Sequence, residues 1–279
     1  RPIDQTGIDP RSIGWLAIGT ETTVDQPKSL GAYVLGLLVR HSGVSMGHVS
    51  CPQFQFACIG ATLALESALN LLRAGNARRR YALVIASDVA KYAMHSHAEY
   101  TQGAGAAAML VSSDAKLLAF DPRPFATYTC DERDFFRPNW RTEATVDGKY
   151  SINVYLRCAQ RALAEYVAAA EHQGAPIDPE QDFDYLLTHL PFPRMGEYAA
   201  TRLWRALKDR SLLDSRFEPD DARDREHDRV ASRDPDFLRF FQRSCEPGLA
   251  FSRETGNAYS ASLYLGLCSL LTHLSREQH

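Results

Sequence analysis

Short apolar segments alternate with longer amphipathic ones along nearly the whole chain, and this alternation limits the fold more than any other feature. The short segments favour strands, and they cover residues 13–20, 49–56, 81–87, 104–112 and 184–188. The longer segments favour helices, and they cover residues 29–40, 58–73, 152–171, 195–207, 235–243 and 259–274. Strands that alternate with helices are typical of α/β proteins. We therefore predict an α/β fold, with the charged stretch 209–234 as a solvated loop or an exposed helix.

The bulk composition argues against several classes of partner. A chain of 279 residues that is 45% hydrophobic can bury a substantial core. The net charge of -3 provides no general basic surface, so we expect no nucleic-acid partner. No apolar run approaches the length of a membrane span and no signal segment opens the chain, so we expect no membrane association. The six cysteines are scattered without a CxxC pair, which favours a reduced, cytoplasmic protein.

Two parts of the chain repeat one arrangement of polar residues. In the first part, Glu21 ends a predicted strand and Cys58 begins an apolar helix. In the second part, His189 ends a predicted strand and Asn257 begins an apolar helix. Ligands in open α/β sheets bind beyond the carboxyl ends of the strands. We therefore expect these four side chains to face a common site.

Each of the four residues has a possible chemical role and an ordinary structural alternative. A cysteine in the first turn of a helix favours the thiolate form, because the helix dipole and unpaired N–H groups stabilise negative charge. The small neighbours of Cys58 would let a substrate reach its sulfur. The alternative is a buried inert thiol, which is our prediction for the remaining cysteines, Cys51, Cys130, Cys158, Cys245 and Cys268. The corresponding alternatives are a solvated loop carboxylate for Glu21, a hydrogen-bonded core residue for His189 and a helix cap for Asn257.

A family resemblance favours the chemical roles. The motifs GTETTVDQPKS around Glu21, FACIGATLAL around Cys58 and THLPFPRMG around His189 resemble those of the 3-hydroxy-3-methylglutaryl-CoA synthase family, a branch of the thiolase superfamily. Further similar motifs are VIASDVAKY, TQGAGAAAML, DFFRPNW, TVDGKYSINVYL and GNAYSASLYLGL. Together they span roughly residues 16–274, and they look most like the bacterial members.

The resemblance implies both a fold and a reaction. The fold would be a duplicated, layered αβαβα arrangement of the thiolase type, with halves at residues 1–113 and 114–279. Acetyl-CoA would acylate Cys58, and Glu21 would remove a proton from the acetyl methyl group. The resulting enolate equivalent would attack the ketone of acetoacetyl-CoA while His189 donates a hydrogen bond to the acceptor. Water would then release the product.

The resemblance also implies a set of substrate-binding residues. Three carboxylates would line the cavity, namely Asp25, Asp88 and Asp134. Phe135 and Thr101 would lie near the acyl group. The amide of Asn257 would bind the thioester region of the acceptor. Arg194 stands where the family usually has a lysine near the CoA phosphates, and Ile59 where many members have tyrosine. Arginine keeps the charge but presents a planar fork in place of a point charge.

The implied substrates are acetyl-CoA and acetoacetyl-CoA, with no cofactor and no metal, in a homodimer that serves the mevalonate pathway of isoprenoid biosynthesis. One alternative is a polyketide β-branching synthase that uses acyl-carrier protein, and another is a non-catalytic thiolase-fold binding partner. The chain begins at Arg1, ends at His279 and lacks the Gly-Ser-Gly turn that the family carries near its C-terminus. We therefore expect the sequence to be a piece of a longer protein, and we expect no activity if the turn is truly absent.

Overall fold

The computed structural model describes residues 6–75, 80–114, 116–121, 125–177, 182–214 and 221–277. The chain divides into two compact units. The first comprises Arg1–Ala90, Gly103–Ala119 and Thr255–Leu265, and the second comprises Lys91–Gln102, Phe120–Glu254 and Gly266–His279. None of the helices in the described ranges is both long and apolar enough to cross a membrane.

A four-stranded sheet forms the centre of the first unit. Its strands are β1 (Ile13–Gly19), β2 (Gln53–Phe54), β3 (Tyr81–Val89) and β4 (Ala104–Ser112). They lie in the order β2-β1-β3-β4, with β1 parallel to both β2 and β3, and β4 antiparallel to β3. Because the sheet is covered on both faces, a central strand such as β1 is apolar throughout and does not alternate with polar residues.

Helices cover both faces of this sheet. Helix α1 (Leu30–Ser42) begins at a Ser29 cap and ends at Gly43, whose φ of 68° suits a left-handed helix terminus. It packs against Leu16 and Ile18 of β1. Helix α2 (Gly60–Arg73) packs small residues against Ala17, which points to the opposite face because side chains alternate along a strand.

The second unit is mainly helical. Its two short strands, β5 (Phe135–Phe136) and β6 (Thr145–Val146), pair antiparallel. Its helices are α3 (Gly148–His172), α4 (Pro193–Lys208), α5 (Asp221–Ala231), α6 (Pro235–Ser244) and α7 (Ala250–Thr255). The last helix, α8 (Ser262–Glu277), begins in the first unit and continues in the second.

Two strand predictions need correction. The strand predicted over residues 49–56 is reduced to β2, and residues 184–188 form no strand. In the latter segment the N–H group of Leu186 donates to the carbonyl of Ser244, 2.9 Å away, and no neighbouring strand lies beside it within the described residues. Apolar composition indicates burial, but a strand also requires a partner strand.

Two helix predictions also differ from the structure. Helix α2 begins at Gly60 and not at Cys58, and a 3-10 turn, Tyr259–Ala261, precedes α8. The charged stretch 209–234 does contain a helix, but one side of α5 is not solvated. Asp224 is 2% exposed, and Asp228 pairs with Arg202 of α4 at 2.7 Å. The opposite charges of α4 allow these carboxylates to be buried.

Candidate active site

The segment that carries Glu21 is held by Asp88. Glu21 follows β1 and Asp88 lies near the end of β3, and because the two strands are parallel neighbours these ends meet at one edge of the sheet. Asp88 Oδ1 accepts hydrogen bonds from Thr20 Oγ1 at 2.8 Å and from the Glu21 N–H group at 2.9 Å. It also accepts from the N–H and hydroxyl groups of Thr22, at 3.0 and 2.7 Å. One carboxylate oxygen therefore fixes three consecutive residues around Glu21.

The second oxygen of Asp88 binds the start of another element. The N–H group of Ser260 lies 3.0 Å from Oδ2 and its hydroxyl lies 2.5 Å from the same atom. The hydroxyl oxygen is also 2.9 Å from the carbonyl of Gly19. Asp88 is 2% exposed and is surrounded by donors from the chain itself. These contacts give Asp88 a positioning role, and its place in the lining of a substrate cavity stays a prediction.

Cys58 lies in a constrained turn before α2. The prediction placed it in the first helical turn, but Ile59 is the N-terminal cap and the helix begins at Gly60. The preceding residue, Ala57, has a φ of 40°, a left-handed conformation that costs about 1–3 kcal/mol for a residue with a side chain. Cys58 is partly buried. Strain of this kind is common where a fold must present one side chain at a defined place.

Two glycines bring this turn to the end of β1. A Cβ atom on Gly19 would lie 2.1 Å from the Cα of Ala61, and one on Gly60 would lie 2.6 Å from the carbonyl oxygen of Phe54. The same position on Gly60 is 3.5 Å from the N atom of Thr20. Only glycine permits such close contact between backbones. The turn with Cys58 and the segment with Glu21 therefore lie at the same edge of the sheet. Glu21 itself is 6% exposed.

Asn257 begins the turn that leads to Ser260. It is 3% exposed, and its Oδ1 accepts hydrogen bonds from the N–H group of Tyr259 at 2.9 Å and from the hydroxyl of Ser262 at 3.3 Å. Asn257 thus forms a side-chain turn just before Ala258, which is the N-terminal cap of the 3-10 turn, so Asn257 is not itself the cap that its structural alternative proposed.

Asp25 lies on the loop that follows Glu21. Its Oδ1 accepts from the N–H group of Lys28 and its Oδ2 accepts from the hydroxyl of Tyr33, both at 3.0 Å. Both hydrogen bonds lower the pKa of Asp25 below its usual value, and the one from the Lys28 N–H group has the larger effect. Asp25 is therefore ionised at neutral pH, and it organises the loop.

His189 belongs to the second unit. The hydroxyl of Tyr155 donates to its backbone carbonyl at 2.9 Å. His189 is partly buried as a residue, but its Nδ1 is fully enclosed and has no hydrogen-bond partner among the described residues. Burial lowers the pKa of His189 to about 4, so the imidazole is neutral at pH 7. A neutral imidazole carries one N–H group, and this group can donate a hydrogen bond to a ligand oxygen.

The remaining predicted residues also lie in the second unit. Asp134 accepts from the hydroxyl of Ser151 at 2.7 Å, and Phe135 follows it in β5. Thr101 ends a 3-10 turn and donates to the carbonyl of Ala98 at 2.7 Å. Arg194 is exposed at the start of α4, with its guanidinium carbon 5.4 Å from the ring centre of Tyr198.

The first unit therefore contains Glu21, Asp25, Cys58, Asp88 and Asn257, and the second contains Thr101, Asp134, Phe135, His189 and Arg194. Sequence reasoning missed Ser260, whose hydroxyl and N–H group both contact Asp88. A polar residue inside the apolar segment 259–274 was the available signal. No group of three or more potential metal-binding side chains occurs within the ranges that the structure describes.

Comparison with known proteins gives two matching family models. The model for the hydroxymethylglutaryl-coenzyme A synthase N terminal matches residues 1–116. The model for the C terminal of the same family matches residues 118–279.

Individual relatives agree with these matches. A hydroxymethylglutaryl-CoA synthase of Haloferax volcanii is 32% identical over 96% of this chain and 62% of its own length. One from Mycosarcoma maydis is 32% identical over 99% of this chain and 63% of its own length. The chain thus spans just over three fifths of the length of each of these two relatives.

Solved structures match over a similar extent. MvaS in complex with 3-hydroxy-3-methylglutaryl coenzyme A superimposes with a TM-score of 0.81 at 33% identity, covering 97% of this chain and 62% of that one. The HMG synthase of the curacin biosynthetic pathway, in complex with acetyl donor-ACP, gives a TM-score of 0.76 at 27% identity, covering 96% and 58%.

Proposed function

Because the chain belongs to the hydroxymethylglutaryl-CoA synthase family and has its thiolase-like α/β fold, we propose that it serves the condensation of an acetyl thioester with a β-ketoacyl thioester. The substrates would be acetyl-CoA and acetoacetyl-CoA, and the product 3-hydroxy-3-methylglutaryl-CoA. The observation that carries the proposal is the edge of the sheet in the first unit. There Asp88 holds the Glu21 segment beside the turn that presents Cys58.

The first step would be acyl transfer to Cys58. Its thiolate attacks the carbonyl carbon of acetyl-CoA, and the CoA thiolate leaves with the electrons of the broken C–S bond. A thioester intermediate suits the next step, because it keeps the acidity of the acetyl methyl group better than an oxygen ester would.

The second step would be proton removal by Glu21. A carboxylate is a weak base in water, but a base with little solvent around it can abstract a proton from carbon more effectively. Glu21 is 6% exposed, which meets this requirement. The carbanion equivalent then attacks the ketone of the acceptor, and for His189 we propose donation of a hydrogen bond to the acceptor carbonyl. Water finally hydrolyses the Cys58 thioester.

A second candidate has the same chemistry with a different donor. The likeness to the curacin HMG synthase solved with acetyl donor-ACP favours a carrier-protein donor. The non-catalytic alternative predicts no acyl transfer at all.

Mass spectrometry of peptides distinguishes these candidates. The protein is incubated with acetyl-CoA or with acetylated carrier protein, and the acetyl group is located. We expect an adduct on Cys58 that is absent in Cys58→Ala and retained in Cys268→Ala, which removes an exposed cysteine. A strict requirement for carrier protein would favour the second candidate, and no adduct from either donor would refute the proposal.

We also propose that the protein acts as a cytoplasmic homodimer without a cofactor or metal, and that its sequence divides into two thiolase-like halves at residues 1–113 and 114–279. The family models support such a boundary because they match residues 1–116 and 118–279. Light scattering after gel filtration tests the oligomeric state, and a monomeric mass would contradict it.

A further inference from the structure

Two cysteines outside the candidate site lie in contact. The sulfur atoms of Cys130 and Cys158 are 3.5 Å apart, and both residues are thiols. Cys130 is exposed, contrary to our prediction that it is a buried inert thiol, and Cys158 is partly buried. A disulfide bond is roughly 2 Å long, so the two sulfurs must approach each other by about 1.5 Å for a bond to form.

Neighbouring contacts hold the two sulfurs in this register. Every second residue of the segment 130–134 contacts helix α3. Glu132 pairs with Arg157 at 2.6 Å, and Asp134 accepts from Ser151 at 2.7 Å. Ser151 and Cys158 are two helical turns apart, so they lie on one side of α3. The segment 130–134 therefore runs along helix α3. The contact between the two cysteines lies at one end of this row of three contacts.

We propose that Cys130 and Cys158 are a disulfide-forming modification site that reversibly fastens the segment 130–136 to helix α3. The modifying agent is a low-molecular-weight disulfide such as glutathione disulfide, or a peroxide. The segment contains Asp134 and Phe135, so the bond would restrict the motion of two predicted substrate-binding residues. The formation of the bond does not depend on the proposed condensation.

The reaction balances in two exchanges. The thiolate of the exposed Cys130 attacks glutathione disulfide, forms a mixed disulfide and releases one glutathione thiolate. The sulfur of Cys158 then attacks the Cys130 sulfur, loses its proton to solvent and expels the second glutathione. Two protein thiols are oxidised, and one small disulfide is reduced to two thiols. With peroxide, Cys130 becomes a sulfenic acid with release of water, and attack by Cys158 releases a second water.

The environment of Cys158 sets the order of events. Burial, together with the contact to Cys130, raises the pKa of Cys158 to about 12. Cys158 is therefore protonated at neutral pH and is a slow attacking group. The mixed disulfide on Cys130 should accumulate first, and the cross-link should follow.

The test uses the full chain and a redox buffer of reduced glutathione and glutathione disulfide. We expect peptide mapping without reduction to find Cys130 joined to Cys158, and dithiothreitol to reverse the bond. The oxidised protein should melt about 5 °C or more above the reduced protein, because the bond closes a loop of the unfolded chain. Neither measurement requires catalytic activity, so failure of the proposed function would not mimic failure here.

Matched variants sharpen the result. Cys158→Ser should stop at the mixed disulfide on Cys130 and lose the thermal gain, whereas Cys268→Ser, at another exposed cysteine, should still form the cross-link. The proposal is overturned if the wild-type chain yields only glutathionylated or over-oxidised Cys130. It is also overturned if the cross-linked protein melts no higher than the reduced protein.

Discussion

Asp88 organises more of the candidate site than any other side chain in the described residues. Its two oxygens accept hydrogen bonds from donors at two places, the end of β1 and the 3-10 turn 259–261. The family resemblance identified Asp88 as important, but it suggested contact with substrate. The hydrogen bonds show a role that the resemblance did not suggest: Asp88 holds the backbone segment that carries Glu21.

Replacing Asp88 by asparagine should therefore affect both stability and catalysis. The new amide would turn an N–H group toward the donors of Ser260, or toward those around Glu21, and we expect a loss of about 2–4 kcal/mol in the free energy of unfolding. Asp114→Asn, in an exposed ion pair with Lys116, should change it by less than about 1 kcal/mol. Urea denaturation measures the free energy of unfolding of both variants. Equal losses in Asp88→Asn and Asp114→Asn would contradict the positioning role of Asp88.

His189 should make the protein sensitive to mild acid. Its pKa is about 4 in the folded protein and 6.5 without burial, so the unfolded chain binds a proton in this range that the folded protein does not. Stability is full above about pH 6.5 and should fall by at most about 3 kcal/mol as the pH drops toward 4. His189→Gln should flatten this part of the pH profile of urea unfolding, and His41→Gln, at an exposed position, should not. An unchanged slope in His189→Gln would contradict burial of the neutral ring.

At the scale of elements, periodicity identified strands better than the starts of helices. The prediction for β4 matched its observed bounds, and β1 and β3 were confirmed with small shifts, because long apolar runs indicate buried strands. The start of α2 was wrong by two residues. Residues 57–59 are apolar or small like the helix that follows them, so the sequence gives no sign that the helix starts only at Gly60. The positive φ of Ala57 could not be predicted from any pattern. The segment 184–188 failed because strand formation depends on a partner distant in sequence.

The contact between α4 and α5 was not foreseen, because charged side chains usually indicate solvated surface. Arg202 is 3% exposed and pairs with Asp228 of α5. Arg202→Met should cost about 1.5–3 kcal/mol of unfolding free energy, because Asp228 loses one of its two guanidinium partners and keeps only Arg205. Arg229→Met removes an exposed pair with Glu226 and should cost less than about 1 kcal/mol. Equal losses of unfolding free energy in the two variants, measured by thermal or urea unfolding, would show that the buried pair stabilises the fold no more than an exposed pair does.

At the scale of the whole molecule, the α/β class follows from alternation, but the reaction does not. Glu21, Cys58, His189 and Asn257 each had an ordinary structural explanation, and the carbonyl oxygen of Asn257 does accept a hydrogen bond within its own turn. The polarity of Ser260 within an apolar segment marked the residue, but its partner could not be predicted, because that contact depends on β3 and the 259–261 turn meeting in space. The motifs around these residues, taken together, identified the family, and the family matches confirm it.

The central claim is that Cys58 carries the acetyl group while Glu21 acts only on the next step. The most direct measurement compares wild type with Glu21→Gln after incubation with acetyl-CoA and acetoacetyl-CoA. Peptide mass spectrometry locates the acetyl group, and chromatography detects the condensation product. We predict an acetyl adduct on Cys58 in both proteins and product from wild type only. Product from Glu21→Gln at the wild-type rate, or an acetyl group on a residue other than Cys58, would contradict the account.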